Sequence, residues 1–158
     1  MDKKVKWAHR YTDLATTISF WSEDDSTKVG AVIVKDDRIV SVGYNGFCRG
    51  VDQTLSERHE RPTKYLFFEH AERNAIYNAG RDLHGATMYM NFHPCPCADC
   101  TRAIIQSGIS TVIGCDIPFS GAGKGTHYDV EDAANIMMEE AKIKRFVVSG
   151  DDLKPYRL

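Results

Sequence analysis

Apolar side chains recur at two spacings along the chain, and the first spacing predicts an N-terminal helix. Residues 6–21 carry five of them three or four positions apart, which predicts an amphipathic helix with these side chains in the core. They are Trp7, Tyr11, Leu14, Ile18 and Trp21. Residues 29–34 and 38–43 are instead short runs rich in valine and isoleucine, separated by Asp36-Asp37. Two such runs around a tight turn predict an antiparallel hairpin.

Helical and strand patterns alternate through the rest of the chain. Helices are predicted at residues 71–79, 97–107 and 130–142, and strands at 86–91, 111–115 and 144–149. This alternation predicts a single α/β domain over residues 1–158, with helices on both faces of a mixed sheet. The polar stretch 47–65 predicts a long loop, which is either functional or a solvated surface excursion. The glycines in 121–125 indicate a flexible turn within a second loop, 116–128, since they match no nucleotide-binding motif.

Composition excludes several classes of protein. Hydrophobic residues make up 42% of the chain and charged residues 27%, and the net charge of -2 argues against a nucleic-acid-binding protein. Without a long apolar run, neither a membrane span nor a signal peptide is expected, so we expect a cytoplasmic protein. An odd number of clustered cysteines favours metal binding and free thiols in a reducing compartment. The five are Cys48, Cys95, Cys97, Cys100 and Cys115.

Two short motifs carry candidate chemistry. His70 and Glu72 are separated by one residue, and Cys97 and Cys100 follow in a Pro-Cys-x-x-Cys motif. One histidine and two cysteines supply three ligands to zinc, and a catalytic zinc keeps its fourth position for water. Glu72 is then a base beside that water. The combination matches the pattern of zinc deaminases, in which hydroxide attacks C4 of cytosine and ammonia leaves. A lone Cys-x-x-Cys is as often a structural zinc site or a redox pair.

The spacing within each motif places both at helix starts. Cys97 and Cys100 are three residues apart and share one helix face, and a helix N-terminus favours the thiolate that binds metal. His70 and Glu72 are two apart, so they converge on one metal only where the first residue is not yet helical. Asn45, which follows the second predicted strand, either holds a sugar hydroxyl or serves the turn chemistry of Tyr-Asn-Gly.

Beyond the metal motifs, longer stretches resemble the cytidine and deoxycytidylate deaminase superfamily, and within it the deoxycytidylate (dCMP) deaminases of bacteriophage and bacterial type. The matching stretches span about residues 20–115. They are residues 26–34, 43–47, 63–65, 70–76 and 97–109. The zinc motifs specify the superfamily only. Gly43-Tyr44-Asn45-Gly46 and the long loop after it indicate the dCMP branch.

The resemblance implies a three-layer α/β/α sandwich around a five-stranded mixed sheet, with zinc held by His70, Cys97 and Cys100. Glu72 would shuttle protons while dCMP is converted to dUMP for thymidylate synthesis, in the host cytoplasm if the chain is phage-encoded. The resemblance also implies a homohexamer, activated by dCTP, with Mg²⁺ possible alongside it, and inhibited by dTTP. It assigns substrate binding to Asn45, Ser26 and Lys28, and effector binding to Gly43, Tyr44, Gly46, Arg49 and Arg81.

Several residues qualify this resemblance. The approach to Cys97 looks about two residues longer than usual, which adds His93 and Cys95, and Cys95 is a competing ligand. Cys97 is preferred because only it has the Cys-x-x-Cys partner Cys100. Basic side chains around the long loop can supply positive charge for a triphosphate. They are Arg49, Arg58, Arg61, Lys64 and Arg81.

Other functions remain open from the sequence. Related deaminases act on free cytidine, dCTP, guanine or adenosine in tRNA, although the net charge of -2 argues against the last. A different class is a structural zinc domain without catalysis. Glu72 argues against that class, because a structural zinc needs four closed ligands and no adjacent base.

Overall fold

The computed structural model describes residues 1–117 and 128–156, and of the last helix it describes side chains from residue 133 onward. Over these residues the chain forms four α-helices and eight strands. They are α1 (Lys3–Ser19), β1 (Gly30–Lys35), β2 (Arg38–Tyr44), β3 (Gly46–Phe47), β4 (Phe68–Glu69), α2 (Ala71–Ala79), β5 (Thr87–Met90), α3 (Ala98–Gln106), β6 (Thr111–Cys115), α4 (Tyr128–Glu140), β7 (Lys144–Ser149) and β8 (Asp152–Pro155). The predicted glycine turn at 121–125, and most of its loop, lie outside the described residues.

The main sheet is mixed, as the sequence predicts, but has six strands and not five. Their order is β2-β1-β5-β6-β7-β8, with β5, β6 and β7 parallel and the other pairs antiparallel. The additional strand is β8, which turns back on β7 so that Ser149 pairs with Asp152. Gly150 takes a left-handed backbone, φ +55°, in this two-residue turn, and glycine adopts that conformation without steric cost.

Helices cover both faces of the sheet, which confirms the three-layer sandwich. Because side chains alternate along a strand, β1 contributes to both layers. Val32 and Val34 pack with Tyr11 and Ala15 of α1 on one face. On the other face Ile33 packs in a cluster with residues of α2, α3 and α4. These partners are Ala71, Ala75, Ile104 and Met138.

Helix α1 ends two residues before the predicted limit, at Ser19, and the two tryptophans predicted to be core residues are exposed. Trp7 is 40% exposed and Trp21 58% exposed, whereas Ile18 is buried. The helix ends where the backbone N–H of Phe20 donates to the carbonyl of Thr17, three residues earlier, as in a 3₁₀ turn. Trp21 therefore lies beyond the last turn of the helix. The hairpin of β1 and β2 is confirmed, with its turn residues Asp36 and Asp37 both at positive φ.

The predicted long loop is closed at its base by a small ribbon. β3 pairs antiparallel with β4, so that Gly46 faces Glu69 and Phe47 faces Phe68. Between these strands the segment 48–67 contains two short 3₁₀ turns, Ser56–His59 and Thr63–Leu66. The ribbon holds the residue before Gly46 and the residue after Glu69 at the same end of the domain. Those residues are Asn45 and His70, both of which the sequence analysis singles out.

Packing of α2 on β2 reinforces this arrangement. A Cβ added at Gly43 of β2 would lie 2.3 Å from the backbone nitrogen of Ala75 and 2.4 Å from the carbonyl oxygen of Ala71. Only glycine allows this approach, so Gly43 has a packing role whatever else it does. Among the described residues, no helix has both the length and the apolar character needed to span a membrane.

Candidate active site

Three side chains converge into one candidate metal group. His70 lies immediately before α2 with an extended backbone, φ -80° and ψ 152°, and Cys97 precedes α3 in the same way. Cys100 lies in the first turn of α3. The Nδ1 atom of His70 is 3.5 Å from the Sγ atom of Cys97 and 3.4 Å from that of Cys100. The structure therefore brings the three predicted ligands together at two helix starts.

The donor atoms of this group fit a tetrahedral zinc ion. All three lie within 4.8 Å of one another. Zinc binds cysteine sulfur at about 2.3 Å and histidine nitrogen at about 2.0 Å, so tetrahedral ligands lie roughly 3.5–3.8 Å apart. The observed separations between His70 and the two sulfur atoms agree with that range. The group has the dimensions and the chemistry of a three-ligand zinc site.

Hydrogen bonds inside the group prepare a thiolate. A bond from Cys100, with His70 contributing further, lowers the pKa of the Cys97 thiol to about 4 against the opposing effect of burial. The same contact with Cys97 raises the pKa of His70 to about 9, although burial opposes it. The two shifts favour a protonated imidazole at His70 and a thiolate at Cys97, and a bound metal would take the place of that proton. Thiolate is the form of cysteine that binds metal.

Glu72 lies in the first turn of α2, two residues after His70, and is only 3% exposed. Burial raises the pKa of its carboxyl, which the neighbouring charge of His70 partly opposes. A carboxyl of raised pKa holds a proton more readily than an ordinary glutamate, which suits a group that must accept a proton and later return it. Its position in the chain keeps it beside the metal group while its burial excludes bulk water.

Arg73 is a further site residue that the sequence analysis missed. Its guanidinium donates to Glu69, and its Nη1 atom lies 3.6 Å from Oδ2 of Asp99 in α3. Burial opposes its charge, but Glu69 and the thiols of Cys100 and Cys97 raise its pKa above the usual arginine value. Arg73 therefore joins the two ligand-bearing helices and offsets negative charge on the sulfur atoms. The Glu-Arg pair four residues apart at a helix start is the signal that was available.

The side chain of Asn45 is buried and held by the protein itself. Its Oδ1 atom accepts from the backbone N–H of Val29 at 2.8 Å, and its Nδ2 group donates to the carbonyl of Thr27 at 2.8 Å. Oδ2 of Asp24 lies 3.5 Å from the same Nδ2 group. These bonds go to residues 16 and 18 positions away and not to the backbone of the Tyr-Asn-Gly turn. They fix the orientation of the amide, while contact with a substrate stays a prediction.

Ser26 and Lys28 lie on the loop that leads into β1, and both are exposed residues. The Oγ atom of Ser26 donates to Asp24 and accepts from Lys64 at 2.6 Å. The ammonium of Lys28 donates to the carbonyl of Ser22. Ser26 and Lys28 therefore lie on the loop that holds Asn45, and neither side chain belongs to the metal group.

Comparison with known proteins identifies the family. Residues 5–115, which include all three candidate ligands, match the family described as the cytidine and deoxycytidylate deaminase zinc-binding region. The chain belongs to this family.

Individual relatives agree with that assignment. The chain is 50% identical over 107 residues to the "Uncharacterized deaminase in luxG 3'region" of Aliivibrio fischeri, which covers 68% of this chain and 71% of the relative. A probable deoxycytidylate deaminase of Caenorhabditis elegans is 41% identical over 113 residues, or 68% of this chain and 56% of that protein. The chain thus spans little more than half the length of the nematode relative.

A solved structure shows the same fold. The dCMP deaminase of cyanophage S-TIM5, crystallised with dCMP and dUMP, superposes with a TM-score of 0.69 over 93% of this chain and 98% of that one. Its sequence is 24% identical, so this likeness concerns the fold alone. It supports the three-layer deaminase architecture described above.

The family is described as a zinc-binding region, which indicates zinc as the metal for this candidate group, and Cys95 lies outside the group. The sulfur atom of Cys95 contacts Oδ1 of Asn135 on α4 at 3.6 Å, and the group formed by described residues contains His70, Cys97 and Cys100. The additional thiol of this deaminase therefore lies against α4, although it is only two residues from a ligand.

Three of the five predicted effector residues share one small cavity of about 150 Å³. Tyr44, Gly46 and Arg49 line it, and Arg49 donates to Asn78 of α2. The other lining residues are Glu23, Phe47, Gln53, Asn74 and Asn78. Gly43 is buried behind it against α2, and Arg81 is an exposed residue beyond the end of α2, so neither belongs to the lining.

Lys64 is not available for the effector role that its charge suggests. Its ammonium is buried and bonded to both carboxylate oxygens of Asp24, at 3.0 Å and 2.8 Å. A lysine committed to a buried carboxylate cannot also neutralise a triphosphate at the surface.

Proposed function

We propose that the protein catalyses the hydrolytic deamination of dCMP to dUMP and ammonia. The observation that carries the proposal is the buried carboxyl of Glu72 beside a three-ligand His70-Cys97-Cys100 group. A structural zinc site is closed by four protein ligands, whereas a catalytic one keeps a position for water. The group formed by the described residues has three ligands and an adjacent base, which favours an enzyme over a structural zinc module. The curated relatives named deoxycytidylate deaminase support dCMP as substrate.

The residues of the chain account for the proton transfers of this reaction. When bound, zinc supplies a Lewis acid that makes water a nucleophile at neutral pH. Glu72 takes one proton from the attacking water and delivers it to the ring nitrogen, then takes the second from the hydroxyl on C4 and delivers it to the departing amine. The oxygen of water becomes bonded to C4, the bond from C4 to the exocyclic nitrogen breaks, and ammonia leaves. Burial of Glu72 keeps its proton from exchanging with bulk solvent during this sequence.

Asn45 is the proposed contact for the sugar. Both donors of its Nδ2 group are directed at protein oxygens, on Thr27 and Asp24. Its Oδ1 atom accepts from Val29 and, as a carbonyl oxygen, has a second lone pair for a substrate hydroxyl. Ser26 and Lys28 are exposed on the loop that holds Asn45, so we propose them as contacts for the rest of the nucleotide.

A substrate panel tests the proposed function. Ammonia release is measured for dCMP, cytidine, dCTP, guanine and tRNA with the zinc-loaded protein, and we expect the highest kcat/KM for dCMP. Related nucleotides that lack a group bonded by the site are rejected most strongly, because buried polar groups are then left unpaired. If another compound gives a higher kcat/KM, that compound and not dCMP is the preferred substrate. Zinc-loaded protein with no ammonia release from any of them would favour the structural zinc module.

We also propose that dCTP with Mg²⁺ activates this reaction, that dTTP opposes it, and that the working form is a homohexamer. The cavity of about 150 Å³ beside Tyr44 is smaller than the roughly 300–1,000 Å³ typical of ligand sites, so a second subunit would have to complete it. Tyr44 is 39% exposed and can stack on a base or pack across an interface, and Arg49 offers charge for phosphate. The chain neighbour of Tyr44 is Asn45, so the cavity adjoins the proposed sugar contact.

Rates measured against dCMP concentration test this regulation. A triphosphate shifts the equilibrium only if it binds the active state better, and coupling of about 1–3 kcal/mol changes apparent affinity ~5–150-fold. We expect dCTP to lower the concentration of dCMP that gives half-maximal rate, dTTP to raise it, and Arg49→Gln to weaken both effects. Arg38→Gln, an exposed arginine at the other end of β2, is the matched control. Superimposable curves with and without either triphosphate would reject regulation.

A further inference from the structure

Lys64 and Asp24 form a buried ion pair that the proposed reaction does not use. Lys64 is 3% exposed and Asp24 6% exposed, although the two residues are 40 positions apart in the chain. The ammonium nitrogen lies 3.0 Å and 2.8 Å from the two carboxylate oxygens, and 2.6 Å from Oγ of Ser26. Removing two charges from water is unfavourable, so a buried pair is weak support for a purely stabilising role.

Asp24 connects this pair to Asn45. Its Oδ1 atom accepts from the backbone N–H groups of Ser26 and Thr27, at 2.8 Å and 3.2 Å, which fixes the loop before β1. Its Oδ2 atom faces Nδ2 of Asn45 at 3.5 Å, and the carbonyl of Thr27 accepts from the same Nδ2 group. Burial alone raises the pKa of Asp24, but hydrogen bonds from Lys64 and Ser26 lower it below its usual value, so the carboxylate stays charged.

Lys64 reaches this loop from the other side of the site. It lies in the 3₁₀ turn Thr63–Leu66, just before β4 and the metal ligand His70. The ribbon of β3 and β4 already joins the residue after Asn45 to the residue before His70. The ion pair adds a second connection, from the end of the 48–67 segment to the loop that holds the amide of Asn45.

From this geometry we infer that Lys64 is a positioning residue for substrate binding, acting through Asp24 on Asn45. The pair directs both donors of the Asn45 amide toward protein oxygens, so that Oδ1 is presented to the sugar hydroxyl. The inference rests on the proposed function for its substrate. It predicts an effect on KM more than on kcat, because the bonds of Lys64 and Asp24 go to this loop and to Asn45, whereas Glu72 lies on α2.

The test replaces the pair without leaving an unpaired charge. In the double variant Asp24→Asn with Lys64→Met, the amide oxygen at position 24 can still accept from the backbone of Ser26 and Thr27. The NH₂ group then faces Nδ2 of Asn45 as a second donor, so the contact with Asn45 is lost while the loop keeps its bonds. Lys35→Met with Asp82→Asn is the matched control, because it removes an ion pair of 2.7 Å at the surface by the same substitutions.

Two measurements on the zinc-loaded variants decide the question. We expect KM for dCMP to rise about tenfold in the Asp24 and Lys64 double variant, the effect of about one lost hydrogen bond, with kcat within about twofold of wild type. The control should keep both constants. Exchange of the Asn45 side-chain NH₂ protons, followed by NMR, should quicken in the first double variant and not in the control.

The outcomes separate this inference from the proposed function. A folded double variant with wild-type KM and wild-type exchange at Asn45 overturns the inference, and Lys64 is then structural only. If wild-type protein does not turn over dCMP, the proposed function fails, and proton exchange at Asn45 alone decides whether Lys64 positions that residue. If the double variant does not fold, Asp24→Asn with Lys64→Gln gives the same comparison, because it also leaves no unpaired charge and keeps a polar side chain at position 64 near Ser26.

Discussion

Glu72→Gln is expected to lower kcat for dCMP by about 10²–10⁴-fold while zinc content stays at the wild-type level. Glutamine has the shape of glutamate and can hydrogen-bond, but it cannot take a proton from water. Because Glu72 is 3% exposed, no water at the surface can substitute for its carboxyl during proton transfer. His70, Cys97 and Cys100 are unchanged in the variant, so the metal group remains. The measurements are kcat by ammonia release and zinc per chain by elemental analysis.

A matched control separates loss of the base from a general effect of the substitution. Glu57→Gln makes the same chemical change in the 3₁₀ turn Ser56–His59, which contains no buried residue, and should leave kcat unchanged. Thermal unfolding of both variants checks that the fold persists. Near-normal turnover by zinc-loaded Glu72→Gln protein would exclude Glu72 as the proton shuttle.

The metal group could be predicted from sequence because its geometry is set locally. His70 and Glu72 differ by two positions, and only an extended residue followed by a helix brings both to one point. The structure has this backbone, with His70 at ψ 152° before α2. Cys97 and Cys100 repeat the arrangement at the start of α3. The local geometry of each motif is therefore determined by a few neighbouring residues. The sheet only brings the starts of α2 and α3 close to each other.

Features formed by residues distant in sequence could not be predicted in the same way. β3 and β4 are two residues each and give no periodic signal, although their pairing closes the segment 48–67. Because lysine is rarely buried, Lys64 in a polar stretch of sequence is predicted to be an exposed cation. Pairing of Lys64 with Asp24 depends on how this segment folds back over the loop before β1, which only the tertiary structure reveals.

The sixth strand illustrates a different limit. β8 has exposed or half-exposed residues throughout, and it lacks the alternation of apolar side chains that marks a half-buried strand. It forms because Gly150 and Asp151 turn the chain directly onto the free edge of β7. Turn chemistry and an available edge determine this strand, whereas hydrophobic pattern determines β1, whose residues are almost all buried.

Substitution of single cysteines is expected to separate the ligands from the additional thiol. Cys97→Ser and Cys100→Ser should each retain less than about one tenth of the wild-type zinc, because a serine hydroxyl stays protonated where a thiolate binds metal. Cys95→Ser should retain zinc and activity. Its sulfur atom contacts Asn135 at 3.6 Å, and a hydroxyl can donate to the same amide oxygen. The measurements are zinc per chain after dialysis and the rate of ammonia release from dCMP.

The decisive comparison is between Cys95 and Cys97, which are two residues apart on the same approach to α3. The distances assign Cys97, since its sulfur lies 3.5 Å from Nδ1 of His70 within the metal group. Cys115→Ser, in β6 and outside that group, controls for the loss of any thiol. If Cys95→Ser lost zinc while Cys97→Ser retained it, the ligand set would be His70, Cys95 and Cys100. The two cysteine ligands would then be separated by four residues and not by two. Cys95 precedes the start of α3 by three residues, so the metal would not be held at the first turn of α3 as described.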